Sequence, residues 1–516
     1  MNFTFEGDSS RSPVWCNQGH RGLYYPLSET ASSNSVASAI LVVSYQGILS
    51  TSNFLFVSVA ALMTIISHSV LKIWTAWIAI TKLRGATLGI FLTFVAGLYV
   101  FCLRSDAAVV TTDGFVLKLD GKPFAIKGMN YAPVPTGAEP KYIPYGDYFI
   151  PYYANVWKPD IDKIREAGVN VIKLYGGNPD LNAGAPGSAG NWKAFLDYCW
   201  NNGTKPVYVI MFSYTVGNDI RDGGTGLSDY IRQYTELVKS TVTHPAVFGY
   251  MVGNEIYDGV TGNPQFWTNF GKLIDAANDA GLSQGKKPFL TTATNDNFTP
   301  AHNWPAIQLG EQSGKLKNID AWTINVYRGP VIGVPGNSPF TQYAQLINAL
   351  GKTKPLILGE WGTPHTTRPA PAFYGSECVL PIKNLDDVPN SDMGTGRPYY
   401  ASVPVADFLN SQWNTIIDNI GAKSEQVCVG GFVFIWSDEY YKANNPSSQQ
   451  GGPNGKFKGG AYAGGYSDEA GYGVTSSVPQ ETYGGSNPPI TRTLFKGYDA
   501  VKTFFNASSH SGGELY

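Results

Sequence analysis

The fold class that the sequence predicts is α/β, because two kinds of segment alternate from residue 113 onward. Short apolar runs of strand length are followed by amphipathic runs with apolar residues at helical spacing. Strand–helix alternation indicates a parallel sheet. Eight strand-like runs, each ending in a polar tip, predict a closed (β/α)8 barrel, which needs about 250 residues or more. An open doubly wound sheet is the alternative.

The predicted strands follow one another in a regular order. Residues 114–133, GFVLKLDGKPFAIKGMNYAP, predict a small hairpin and then a first barrel strand that ends near Asn130. The next seven are predicted in VNVIKLYG (169–176), KPVYVIMFS (205–213), VFGYMVGNEI (247–256), FLTTATND (289–296), IDAWTINVYRG (319–329), PLILGEWGT (355–363) and CVGGFVFIWSDE (428–439).

Helical patterns lie between most of these strands. In residues 157–168, apolar positions recur at helical spacing and Gly168 ends the helix. A second helix is predicted in NWKAFLDYCWNNG, and a third from about Ser228 to Val242. The last helix ends near Phe505, so the predicted barrel domain spans residues 113–506 and leaves a tail at 507–516.

Two long insertions follow the last two strands. Residues 364–403 come after the seventh strand, and residues 442–489, rich in Gly, Tyr and Ser, come after the eighth. A barrel builds its active site from the loops at the carboxyl ends of its strands, so these insertions are expected to wall a groove. No GxGxxG or GxxxxGK[ST] motif follows any strand, which disfavours nucleotide binding.

Composition excludes some partners and suggests others. Lys+Arg 37 against Asp+Glu 39, with no basic run, disfavours nucleic acid. The aromatic fraction of 13% fits a large core or platforms that stack on the apolar faces of sugar rings. The six histidines form no ligand cluster and no Cys/His metal spacing occurs, so neither a metal nor a cofactor is expected.

The N-terminal region carries an apolar segment. Residues 86–103, ATLGIFLTFVAGLYVFCL, contain no charge and follow basic residues, so they are expected to be a transmembrane signal anchor or a signal-peptide core. The upstream basic residues favour an extracellular body, secreted or at the plasma membrane. Residues 1–85 are of uncertain status. They include a second uncharged stretch at 53–70, and Met63 is an alternative start to Met1. The C-terminal residues are not hydrophobic, so a GPI anchor is not expected.

Cysteines and sequons fit such a location. Cys378 and Cys428 are a candidate disulfide, whereas Cys199 lies in a helical pattern and is expected to be a buried free thiol. Candidate N-glycosylation sites are Asn202, Asn297 and Asn506.

Two glutamates end predicted strands. Glu255 follows the apolar fourth strand in VGNEI, and Glu360 follows the apolar seventh in LGEWG. The carboxyl ends of barrel strands open on one face, so these two carboxylates are predicted to face each other across one mouth. Two such carboxylates suit glycoside cleavage, in which one protonates the leaving oxygen and the other attacks the anomeric carbon.

These residues resemble the large clan of retaining glycosidases built on (β/α)8 barrels. Within it, WKPDIDKIREAGVNVIKLYGGNPDLN, KGMNYAP, VGNEI, GGFVFIWSDEYY and YGVTSSV are similar in kind and order to the β-1,3-glucanosyltransferases that remodel cell-wall glucan. The chain departs from that family at Lys173, where Arg is usual, and at Trp361, where Tyr is usual. GEWG is more similar to cellulase-type members of the clan.

The resemblance implies a role for each matching residue. Glu255 is implied as acid/base and Glu360 as nucleophile. Asn254 is implied to bind the sugar 2-hydroxyl, Tyr327 to hydrogen-bond the nucleophile, and Trp436 to floor the sugar site. Further candidate substrate contacts near strand ends are Asn130, Lys173, Tyr175 and Trp361.

The predicted function is double-displacement cleavage of a β-glucan, most similar to β-1,3-glucan chemistry, with transfer to another glucan or to water. The alternatives are a cellulase- or mannanase-like endo-β-glycosidase of the same clan, or a non-catalytic glycan-binding barrel. A monomer is expected.

Overall fold

The computed structural model describes residues 107–137, 148–175, 192–212, 217–256, 258–296, 304–328, 332, 338–367, 383–384, 404–421, 426–440 and 471–507. The described strands are β1 (Val110–Asp113), β2 (Val116–Leu119), β3 (Lys122–Pro123), β4 (Ile126–Tyr131), β5 (Val171–Leu174), β6 (Tyr208–Phe212), β7 (Val247–Met251), β8 (Leu290–Asn295), β9 (Ala321–Asn325), β10 (Leu356–Trp361), β11 (Thr366–Thr367), β12 (Lys383–Asn384) and β13 (Cys428–Val433). Strands β4 to β10 and β13 are parallel neighbours in chain order, and β13 closes the barrel between β10 and β4. The predicted (β/α)8 barrel is confirmed.

Helices lie between the barrel strands, as the sequence pattern predicts. They are α1 (Ala154–Glu166), α2 (Lys193–Trp200), α3 (Gly217–Asp222), α4 (Gly224–Thr241), α5 (Asp258–Thr261), α6 (Pro264–Leu282), α7 (Pro305–Gln312), α8 (Pro339–Ala349), α9 (Val405–Ile417) and α10 (Lys496–Asn506). The helix predicted from about Ser228 starts earlier, at Gly224, and a further short helix, α3, precedes it.

The barrel strands divide their side chains between two layers. In β9, Trp322 and Ile324 pack outward against the helices. Thr323 points inward, where its hydroxyl lies 2.7 Å from that of Thr291 on β8. Because successive side chains of a strand point to opposite faces, one apolar run serves the helix layer and the barrel interior together.

The amino-terminal end of the barrel is closed by aromatic packing. The antiparallel strands β1, β2 and β3 lead into β4. Just before β4, the ring of Phe124 lies 6.1 Å from that of Tyr208 and 5.4 Å from that of Phe248, both at strand starts. The polar mouth of the barrel therefore lies at the opposite end, where the strands finish.

A buried ion pair fixes residues 471–495, the return segment after β13, against α1 and the end of β4. Arg492 donates from Nε to Asp160 Oδ1 on α1 at 2.7 Å and from Nη2 to Oδ2 at 2.9 Å. Tyr131 at the end of β4 donates to the same carboxylate at 3.1 Å, and Arg492 also donates to the hydroxyl of Tyr483 at 3.1 Å. Attraction to Asp160 and its neighbours outweighs burial and raises the pKa of Arg492.

Both described cysteines are free, buried thiols, as expected for Cys199. The predicted Cys378–Cys428 disulfide needs correction, because Cys428 lies in β13 as a free thiol that receives a hydrogen bond from the Gly430 amide at 3.4 Å. Burial raises the pKa of the Cys428 thiol to about 12, which makes it unreactive. Cys378 lies outside the described residues.

Several predictions concern segments that the structure does not describe. The apolar segments 53–70 and 86–103, the choice between Met1 and Met63, Asn297 and most of both long insertions lie outside the described residues. Among the described residues, no helix has the length and apolar character needed to cross a membrane.

Candidate active site

A bulge at the end of β7 presents Asn254 and Glu255. The Ala293 amide on β8 donates to Gly253 O, and the Ile256 amide donates back to Ala293 O, both at 3.1 Å. A regular parallel ladder would use residue 255 for the second bond, so the β7 side holds one extra residue. Gly253 and Glu255 have φ values of 82° and 46°, in the left-handed region that is costly for a side chain such as glutamate.

A second bulge, at the end of β10, turns Glu360 inward. Leu358 pairs with Ile324, but the next pair is Glu360 with Asn325, so β10 uses two residues where β9 uses one. Strict alternation from the outward-packed Leu358 would send Glu360 outward too. The extra residue reverses the alternation, which places Glu360 at the barrel mouth.

The same reversal explains the position of Trp361. This residue is predicted to contact substrate, but its ring packs in the helix layer, 6.0 Å from Trp413 on α9 and 6.2 Å from Phe504 on α10. It is fully buried. These contacts place Trp361 in the core between barrel and helices rather than beside the carboxylates.

Glu360 is held by two phenols and a lysine. Tyr327 donates to its Oε2 at 2.8 Å, the contact expected from the sequence, and Tyr175 on the β5 side donates to Oε1. Lys173 Nζ lies 3.8 Å from Oε1 and donates to Gly359 O at 2.9 Å. These contacts fix the orientation of the Glu360 carboxylate at the barrel mouth.

Burial changes the acidity of the groups around Glu360. It lowers the pKa of Lys173 to about 8, although the charges of Glu360 and Glu255 act in the opposite direction. Burial, followed by the charge of Glu360, raises the pKa of Tyr175 far above its ordinary value. Tyr175 therefore remains a proton donor at any physiological pH, whereas Lys173 loses its proton in mildly alkaline solution.

Asn325 connects the two halves of the site. Its Nδ2 lies 3.2 Å from Asn254 Oδ1 and 3.2 Å from Glu255 Oε1. Asn254 is buried and Glu255 is half-buried. Since Asn325 is also the register partner of Glu360, both predicted carboxylates lie at one mouth, as the strand order implies. Sequence reasoning missed Asn325, although its place two residues before Tyr327 puts it on the same inward face.

Asn130, at the end of β4, lies below this mouth. Its Nδ2 donates to the backbone oxygens of Gly359 at 3.1 Å and Phe432 at 3.4 Å, so its amide ties β4 to its neighbours. Its Oδ1 is buried without a hydrogen-bond partner.

Phe434, not Trp436, is the aromatic residue on the β13 side that contacts the two tyrosines holding Glu360. The predicted eighth strand runs to residue 439, but β13 ends at Val433. The Phe434 ring lies edge-on to Tyr175 at 6.0 Å and to Tyr327 at 6.4 Å. Trp436 packs outward against Tyr498 on α10 at 6.1 Å. Phe434 could have been predicted for this position because it is the first aromatic residue after β13.

Two of the three predicted glycosylation sites lie among the described residues. Asn202 and Asn506 are exposed, as glycosylation requires, although Asn506 donates to Lys502 O at 2.8 Å and Glu166 O at 3.1 Å. In the part of the chain that the structure describes, no group of three or more His, Cys, Asp or Glu residues is arranged to hold a metal ion.

The fold and site together define a (β/α)8 barrel with a carboxylate pair at its mouth. No protein-family model matches this chain, and the comparison with curated proteins finds no match. Among solved structures, the chain is similar to Saccharomyces cerevisiae Gas2p in complex with laminaripentaose, with 15% identity, 79% of this chain and 71% of that chain covered, and a TM-score of 0.47.

Two further solved structures show more distant likenesses. The GH2 β-galacturonidase from Eisenbergiella tayi has 13% identity, a TM-score of 0.45, and coverage of 77% of this chain and 54% of that chain, so this chain spans about half its length. The Bacteroides uniformis β-glucuronidase has 14% identity, a TM-score of 0.41, and coverage of 73% and 36%. These likenesses are too distant to bear on activity.

Proposed function

We propose that this protein is a retaining β-glycan-active enzyme with Glu360 as nucleophile and Glu255 as acid/base. The observation that carries the proposal is the pair of bulges that bring these two carboxylates to one barrel mouth. A strained backbone at Glu255 and an interrupted ladder at Glu360 both cost stability, and such costs concentrate at functional sites.

The surroundings of the two carboxylates divide the roles between them. Glu360 receives hydrogen bonds from two hydroxyls and lies near the ammonium of Lys173, which suits an ionised nucleophile of fixed orientation. Glu255 receives a hydrogen bond from the neutral Asn325 amide and is more exposed, which suits a group that must release and recover a proton.

The chemistry then proceeds in two displacements. Glu255 donates its proton to the glycosidic oxygen while Glu360 attacks the anomeric carbon, so the bond to the leaving group breaks and a glycosyl ester forms. Glu255, now ionised, takes a proton from a water or a sugar hydroxyl. That oxygen attacks the anomeric carbon, the ester bond breaks, and Glu360 leaves as a carboxylate.

We propose β-1,3-glucan as the substrate class. The support is the likeness of KGMNYAP, VGNEI and YGVTSSV to the glucanosyltransferase motifs. A cellulase- or mannanase-like specificity is the competing proposal, supported by Trp361 in GEWG. The choice depends on loop shape rather than on the two acids.

Incubation with laminari-oligosaccharides of defined length tests activity, substrate and acceptor together. Products longer than the donor indicate transfer, and only shorter products indicate hydrolysis. Turnover of cello- or manno-oligosaccharides alone would move the substrate to the competing class. A non-catalytic glycan-binding barrel predicts binding without any product.

Substitution tests the two acids. We expect Glu360→Gln to abolish turnover and Glu255→Gln to reduce it strongly, with rescue of Glu255→Gln on substrates whose leaving group needs no proton. The matched control is Glu311→Gln, a buried carboxylate paired with Lys354 away from this mouth. Turnover by Glu360→Gln equal to that of the unchanged protein would refute the enzyme assignment.

The proposed location is the outer face of the plasma membrane or the extracellular space, through the apolar segment 86–103. Glycan-dependent mobility that is lost in the Asn202→Gln variant would support this location. Complete protection of the body from external protease in intact cells, without glycosylation, would contradict it.

A further inference from the structure

Asn325 stands between the two proposed catalytic carboxylates, and its hydrogen bond to Glu255 is one of several contacts that it makes at the mouth. It ends β9, is 2% exposed, and is the register partner of Glu360. Its Nδ2 reaches both Asn254 Oδ1 and Glu255 Oε1, each at 3.2 Å. One amide therefore contacts both polar residues of the β7 bulge and adjoins the β10 bulge.

The chemistry of these groups determines which way each amide faces. Asn325 directs the donor Nδ2 toward Glu255 Oε1, which accepts this bond once Glu255 has released its proton. The Asn254 atom that shares this donor must then be its acceptor, Oδ1. Consequently Asn254 directs its own Nδ2 away from Asn325.

Asn325 is not placed there for stability alone. Its Oδ1 is buried without a hydrogen-bond partner, which costs free energy. A Cβ on Gly359 would lie only 2.6 Å from this oxygen, so the amide is confined against the backbone of β10. A side chain held tightly with an unsatisfied atom is typical of a functional site rather than of an optimised core.

We propose that Asn325 is a positioning residue that orients Glu255 for proton transfer and fixes Asn254 as a hydrogen-bond donor to a sugar hydroxyl oxygen. This inference rests on the proposed function. The other titratable groups that act on this region are Lys173 and Tyr175 from the β5 side, Tyr327 after β9, Glu360 on β10 and Glu439 after β13. Asn325 differs from these groups because its single donor Nδ2 contacts both Asn254 and Glu255.

The test compares Asn325→Asp, an isostere that cannot donate when ionised, with Asn325→Ala. We expect kcat/KM on laminari-oligosaccharides to fall about 10- to 100-fold in Asn325→Ala and further in Asn325→Asp. The basic limb of the kcat/KM profile moves to higher pH in both, since losing a donor to a carboxylate favours its protonated form.

The matched control is Asn269→Ala. Asn269 is a buried amide on α6 that donates to Ile220 O at 2.9 Å and accepts from Gln265, away from the mouth. For Asn269→Ala we expect the acid and basic limbs of the kcat/KM profile to stay at the same pH and kcat/KM to change less than about twofold. Circular dichroism checks that each variant is folded, and the isosteric Asn325→Asp serves if Asn325→Ala does not fold.

A second readout separates this inference from the proposed function. Protein labelled with 13C at the Glu carboxyls reports the titration of Glu255 directly, with Glu255→Gln identifying its signal. An upward shift of its midpoint in the folded Asn325 variants supports the inference even if no glucan is turned over. Unchanged midpoints and unchanged pH limbs would overturn it even if the enzyme is active.

Discussion

The hydroxyls of Tyr175 and Tyr327 offer the sharpest test of how the site holds its nucleophile. Each donates to a different oxygen of Glu360. A hydrogen bond to a charged group is worth about 1.5–3 kcal/mol, and each 1.4 kcal/mol corresponds to about a tenfold change in rate. We therefore expect Tyr327→Phe to lower kcat/KM by about 10- to 150-fold.

Tyr175→Phe should have the smaller effect. Lys173 Nζ remains 3.8 Å from the same carboxylate oxygen and partly replaces the lost hydroxyl. A fall of about tenfold is expected, near the lower limit for a charged hydrogen bond. Because both phenols act on one carboxylate, the double variant should lose less activity than the product of the two single effects.

The assay is kcat/KM on a laminari-oligosaccharide from pH 4 to 9. Both substitutions should lower kcat/KM across this range, because each removes a hydroxyl that holds one oxygen of Glu360. The control is Tyr234→Phe, which removes the hydroxyl of a fully buried tyrosine bonded to Met251 O at 3.4 Å in the helix layer. If both site variants behave like Tyr234→Phe, the assignment of Glu360 is refuted.

Other consequences of the structure can be measured in the same way. Burial lowers the pKa of Lys173 to about 8 from 10.5, so the ammonium beside Glu360 is lost as pH rises through about 8, and Lys173→Met should lower kcat/KM at neutral pH. Between about pH 8 and pH 10.5 the unfolded chain keeps the Lys173 proton that the folded chain has lost, so this residue makes the free energy of unfolding rise with pH in that window. A contribution of Lys173 that falls with pH in that window, measured against Lys173→Met, would contradict the assignment. Gly359→Ala should cost about 1–3 kcal/mol and most of the activity, since its Cβ would lie 2.4 Å from a β9 side chain, whereas Gly497→Ala, with its nearest contact at 3.4 Å, should change little. Asp160→Asn should lower the free energy of urea unfolding by about 3–5 kcal/mol because it leaves the buried Arg492 charge unpaired, and adding Arg492→Met should recover most of the loss.

The sequence alone supports the barrel and its carboxylate pair for one reason. Apolar runs and helical spacing recur eight times, and the polar residue that ends each run must lie on the face where parallel strands finish. The sequence alone therefore predicts that Glu255 and Glu360 lie at one mouth. Tyr327 is expected from the resemblance to the retaining glycosidases, and its hydroxyl donates to Glu360.

Only the tertiary structure decides which way the last residues of each strand point. The bulge in β10 turns Glu360 inward and Trp361 outward. Because β13 ends at Val433, Phe434 contacts Tyr175 at the mouth and Trp436 packs outward against Tyr498. A one-residue slip inverts the alternation of side chains, and it depends on hydrogen bonds between strands far apart in sequence. The Asp160–Arg492 pair and the amide bridge of Asn325 arise in the same way, because their partners become neighbours only when the barrel closes.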